Sequence, residues 1–133
     1  MKLRKRAMLV AAVSLVAATA IGPTAAAHAP SGAIFTTDMD GNEVNLNHFE
    51  EKEDVYLDGG PGPGAPQTAA GLDDGTYVFQ VTDPSGKVLL SQDEAKCRQF
   101  EVADGIITGV VVTGCEHNTG SDIDNGATTV QLF

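Results

Sequence analysis

The strongest constraint on this chain is a missing pattern. Beyond the N-terminal apolar run, no Gly- or Pro-free window of about eleven residues repeats apolar side chains at i, i+3, i+4 and i+7, the spacing that gives a helix one buried face. Only the short stretch 92–96 has helical character. Two-residue alternation takes the place of that pattern. In residues 75–82, Tyr77, Phe79 and Val81 share one face and Thr76, Val78, Gln80 and Thr82 the other, as on a half-buried strand. The sequence Asp83-Pro84-Ser85-Gly86 has turn chemistry at each position, and residues 87–91 are the expected hairpin partner. A second hairpin is expected from residues 97–102 and 106–112, turning at Asp104-Gly105. A two-residue turn there sets Val102 opposite Ile107 and Phe100 opposite Gly109. Residues 106–112 are apolar on both faces, which predicts a central strand. Further strands are expected over 33–37, 44–46, 54–57 and 127–133. The stretch 59–66, with three prolines that cannot donate ladder bonds, reads as an irregular connection or a flexible surface loop. Seven to eight short strands without a substantial helix predict an all-β fold, an antiparallel β-sandwich of Ig-like or prealbumin-like form.

Charge divides the chain in two. Four of the eight basic residues, Lys2, Arg4, Lys5 and Arg6, lie in the first six positions, and residues 7–27 carry no charge. A basic start, an apolar centre and the small-residue stretch 24–29 make a signal peptide over residues 1–27, cut after Ala27. Gly22-Pro23 interrupts the run near the length a spanning helix needs, which disfavours a membrane anchor. Losing those four basic residues takes the net charge from −10 to −14 and leaves residues 28–133 as one domain. Phosphate backbones and anionic lipid both require clustered Lys and Arg. Nucleic acid is therefore not an expected partner, nor is membrane insertion after cleavage.

The two cysteines, Cys97 and Cys115, flank the second hairpin, and in an exported chain two such cysteines pair. A zinc site from Cys97, Cys115 and His117 lacks a fourth ligand and the usual spacing. The densest oxygen clusters are Asp38, Asp40 and Asn42 in one segment and Asp122 and Asp124 in another. They are candidate calcium ligands, although neither segment matches an EF-hand and both suit Asx turns. His28, His48 and His117 are scattered, no nucleophile motif occurs and there is no Trp to line a sugar cleft. No catalytic residue and no cofactor is implied.

The stretches 34–38, 54–61, 71–86 and 97–99, with Gly75-Thr76-Tyr77-Val78-Phe79-Gln80-Val81-Thr82 at their centre, resemble an uncharacterised group of secreted bacterial proteins. Those are similar in turn to collagen-adhesin B-type (Cna-B-like) and prealbumin-like surface β-sandwiches. The resemblance covers most of residues 32–133 and implies a structural or interaction module. Val81 stands where the isopeptide-forming members carry a Glu, so the acid for that crosslink is missing. The related proteins continue beyond residue 133, which predicts a domain truncated at its C-terminal end, with an exposed edge there.

The expected function is a non-enzymatic module of the cell exterior or envelope, binding an extracellular protein or glycan. Alternatives are a calcium-dependent surface module, or a small secreted inhibitor or carrier that presents the loop 59–66.

Overall fold

A computed structural model describes residues 12–17, 31–44, 48–112, 114–115 and 117–133. Among the described residues, eight strands build two antiparallel four-stranded sheets, as a β-sandwich requires. They are β1 (Ala12–Ala17), β2 (Ile34–Thr37), β3 (Tyr56–Gly59), β4 (Gly75–Thr82), β5 (Gln99–Ala103), β6 (Ile106–Val110), β7 (Thr119–Ser121) and β8 (Thr128–Gln131). One sheet runs β1-β4-β5-β6 and the other β2-β3-β8-β7. Among the described residues, helix is limited to two single 3-10 turns, Lys52–Asp54 and Ala95–Arg98.

The core follows from the alternation of β4. Tyr77, Phe79 and Val81 are buried together with Phe100, Val102 and Ile107 of their own sheet and Leu57 and Val130 of the other. Each fully buried large side chain contributes roughly 1.5–3 kcal/mol. Tyr77 stacks on Phe100 with ring centroids 5.7 Å apart, and its hydroxyl donates to the Asp73 carbonyl at 2.8 Å, so the polar end of the ring is satisfied.

The β5–β6 hairpin turns at Asp104 and Gly105, both at positive φ (52° and 80°), as a type I′ turn requires. Val102 faces Ile107, but the register then slips, so that Phe100 faces Val110 and Glu101 faces Gly109. An unbroken register would put Gly109 inward beside Phe100 and turn Val110 to water. The extra residue, Thr108, returns Val110 to the core side, the usual consequence of a bulge. In the sheet, β6 is an edge strand rather than a central one. Its apolar character comes from facing the opposite layer, where Ile107 is buried.

Other expectations need correction. Residues 87–91 form a single bridge, Thr82 to Leu89, rather than a strand, and Val88 and Leu89 are more than half exposed. The Asp83 carboxylate accepts the amides of Lys87 and Val88, each at 2.9 Å, and closes this turn locally. The third strand begins at Tyr56, because Lys52–Asp54 form a 3-10 turn. Val44 lies exposed in a bend, and residues 45–47 lie outside the described residues; the partner of β2 is β3. No edge forms at β8, which lies between β3 and β7. The short β7, with a central glycine, has no alternation by which to read it.

Within the expected leader, residues 12–17 form β1, antiparallel to β4, with Val13 opposite Val81 and Leu15 opposite Phe79. The basic start and the Ala27 cleavage point lie outside the described residues.

Candidate functional site

Two polar clusters stand out, one fully buried and one reaching the surface through Asp93, and they differ in how their charge is balanced. The first lies on the face of the β2-β3-β8-β7 sheet that points away from the core. Leu57 and Val130, opposite each other, point inward. Period-two alternation therefore turns Asp58 and Thr129 outward, yet both are fully buried. Two loops cover them. In the loop after β2, Asp38 Oδ1 accepts the amides of Asp40 (3.1 Å) and Asn42 (3.0 Å). In the loop after β7, Asp122 Oδ1 accepts those of Asp124 (2.7 Å) and Asn125 (3.3 Å). Both are Asx-type turns, and they meet: Ile123 donates its amide to the Asp40 carbonyl at 3.4 Å. Gly41, at φ +73°, passes so close to Asp122 that a Cβ there would lie 2.7 Å from the Asp122 Cβ and Cγ. Thr129 Oγ1 donates to the Met39 carbonyl at 2.6 Å and fastens the first loop to the sheet.

The two oxygen clusters read from the sequence are thus neighbours, with a third acid that sequence reasoning missed. Asp58 Oδ1 accepts the Gly59 amide at 2.7 Å. With both side chains ionised, Oδ2 of Asp58 and Oδ2 of Asp122 lack a donor, and Thr37 Oγ1 also lacks a partner. One proton held between the two carboxyls supplies the missing bond. Burial first, then the hydrogen bond to Asp122 and the charge of Asp122, push Asp58 up to about 7, against the pull of the Gly59 amide. The candidate ligands Asp38, Asp40, Asn42 and Asp124 do not join this pair through their side chains in any described hydrogen bond. No group of three or more His, Cys, Asp or Glu that could hold a metal ion occurs among the described residues.

The second cluster lies beside the disulfide. Cys97 and Cys115 are bonded, their Cα atoms 5.4 Å apart, and tie the 3-10 turn before β5 to the segment after β6. Arg98 is buried (7% exposed). Its Nη1 donates to the Phe79 carbonyl at 3.0 Å and its Nη2 to the Asp93 carbonyl at 3.4 Å. Its Nε lies 3.3 Å from Asp93 Oδ1 as an ion-pair contact, without hydrogen-bond geometry. Asp93 Oδ2 meets His117 Nε2 at 2.8 Å, and His117 Nδ1 meets the Gln131 carbonyl at 2.7 Å. The imidazole also sets its edge on the Phe79 ring, with centroids 5.2 Å apart. Gln131 is held in turn by the Glu53 carbonyl (2.7 Å) and the Asn118 amide (3.2 Å).

A cleft of about 400 Å³ opens here, lined by Leu90, Ser91, Asp93, His117, Phe133 and the disulfide among others. Its Ser, His and Asp do not make a nucleophile relay. Ser91 Oγ accepts the Val81 amide at 2.9 Å, and both imidazole nitrogens already face acceptors. Neither is left to take a proton from a hydroxyl. His117 was singled out in the sequence, but Asp93, Arg98 and Gln131 were not. The one available signal was Arg98 beside Cys97 in a domain with few basic residues.

The loop 59–66 is fastened at its start, where Pro61 is buried and its carbonyl accepts Asn125 Nδ2 at 3.0 Å. Pro63 and Gly64 are exposed. No family model, curated protein or solved structure matches the chain.

Proposed function

We propose that this chain is an exported, non-enzymatic β-sandwich that acts as an interaction module outside the cell or in its envelope, as the resemblance to Cna-B-like and prealbumin-like domains implies. The observation that carries this reading is the Cys97–Cys115 disulfide behind a leader-type N-terminus. Such bonds persist in oxidising compartments and are rare where thiols are kept reduced. A net charge of −14 after cleavage suits a domain kept soluble by self-repulsion. The engaged nitrogens of His117 favour binding over catalysis. Expression in a secreting bacterium, followed by fractionation and mass spectrometry, tests the reading. It expects a protein starting at His28, with its disulfide intact, in the medium or envelope. Full-length reduced protein confined to the cytoplasm would overturn it.

A calcium-dependent variant of the module, in which a cation takes the place of the shared proton, is favoured by one observation: Oδ2 of Asp58, Oδ2 of Asp122 and Oγ1 of Thr37 are buried without another partner. Calcium takes six to eight oxygens, and Asp40 and Asp124 lie in the two loops above the pair. On this reading, millimolar calcium raises the melting temperature and Asp122→Asn abolishes the rise. An unchanged melting temperature and no binding heat would remove it.

A further inference from the structure

The seat of β1 on β4 shows what the exported domain lacks once its leader is gone. On β4, the Val81 amide donates to Ser91 and its carbonyl accepts the Leu90 amide, while the Phe79 carbonyl accepts Arg98. All these partners lie on the β5 flank. Backbone groups alternate sides along a strand, so those of Val78 and Gln80 face the opposite flank, where β1 lies with Val16 and Ser14 as their Cα partners. Val13 and Leu15, opposite Val81 and Phe79, pack against the buried core from that side. Cleavage after Ala27 removes all six residues of β1. It leaves an edge with unpaired amides and carbonyls beside the flank of Phe79 and Val81, the kind of edge that accepts another strand.

We propose that this β4 edge is the module's binding site, and that its occupant is an extended, uncharged segment of another exported protein with aliphatic side chains at two alternate positions. The inference rests on the export reading above. The chemistry of the occupant is read from the segment seated there: Val13 and Leu15 face inward, and Ser14 lies opposite Gln80. Thr76, Val78, Gln80 and Thr82, on the outer side of β4, carry no charge that would select a charged strand. A second copy is disfavoured as the occupant because two domains of net charge −14 repel each other.

The test uses the protein recovered from the medium of a secreting host, its N-terminus read by mass spectrometry. Amide exchange at Val78 and Gln80 is followed with and without a peptide of residues 12–17 between Gly-Ser tails. Both amides are expected to exchange freely alone and to slow by about tenfold or more with millimolar peptide. A peptide carrying Ser14→Asp should still protect them, whereas one carrying Val13→Asp and Leu15→Asp should not. A cleaved protein whose exchange no peptide alters would overturn the edge site and leave the export reading standing. Equal protection by all three peptides would overturn the alternate-aliphatic occupant. Amides already protected in a protein of doubled mass would assign the edge to a second copy instead. An uncut N-terminus would overturn the export reading, and the open edge with it.

Discussion

The two polar clusters hold the same residue type under opposite conditions, for Asp93 lies at the surface and Asp58 is fully buried. Asp93 sits between two cationic or proton-donating partners, Arg98 and His117. Asp58 faces another acid, Asp122, with no basic side chain bonded to either among the described residues. A buried carboxylate is tolerated when it is paired and hydrogen-bonded, and otherwise it takes up a proton. Arg98 and His117 hold Asp93 at the rim of the cleft and tie loop to sheet through it. With no cation bound, the Asp58 pair relieves its repulsion by holding a proton, which makes it a pH-sensitive part of the fold.

Removing the cation should have one of the two largest effects. Arg98→Ala leaves the buried Phe79 carbonyl without a donor and a void where the buried guanidinium packed; it should cost roughly 3 kcal/mol, read from urea unfolding at neutral pH. Reducing the neighbouring disulfide, or replacing both cysteines by Ala, releases a loop of sequence separation 18 and should cost about 3 kcal/mol on the chain-entropy model, seen as a lower urea midpoint.

The acid pair should respond in the opposite direction. Because the folded Asp58 binds its proton up to about 7 and the unfolded one only to its ordinary value, the folded state holds the extra proton between them. Stability from this group is therefore full below about pH 4 and falls as pH rises towards 7, at a limiting slope of roughly 1.4 kcal/mol per pH unit. Asp58→Asn keeps a donor towards Asp122 without the charge. It should raise stability by about 2 kcal/mol at pH 8 and flatten the slope between pH 4 and 7, measured by urea unfolding across that range. A variant that is less stable than the parent at pH 8 would show that the pair is held by something other than a shared proton.

The smallest effect belongs to His117→Phe, which keeps the ring against Phe79 but frees the Gln131 carbonyl and Asp93. A loss of about 1–2 kcal/mol is expected, checked by thermal melting. A far larger loss would make the imidazole, rather than Arg98, the main partner of Asp93.

Local chemistry made much of this readable from the sequence. The alternation of β4, the Asp83 turn, the Asp104-Gly105 hairpin, the cysteine pairing and the sandwich class each follow from residues near one another in the chain. The Thr108 bulge, the edge position of β6 and the three-residue β7 were not readable. They depend on which layer lies opposite, and a residue's neighbours in sequence do not specify that. Asp38, Asp40, Asn42, Asp122 and Asp124 were legible as Asx turns, but their meeting was not, and neither was the burial of Asp58. On an outward-facing strand position an Asp looks solvated until distant loops close over it.

By itself the sequence determined the class of fold, the turns and a leader-like start, because period-two alternation, positive-φ turn residues and charge runs act over a few residues. The tertiary structure alone decided that two acids share one buried site, that Arg98 and His117 hold Asp93, and that apolar residues 12–17 seat on the flank of β4. Those outcomes depend on long-range packing, which removes water from some side chains and leaves it around others of identical type.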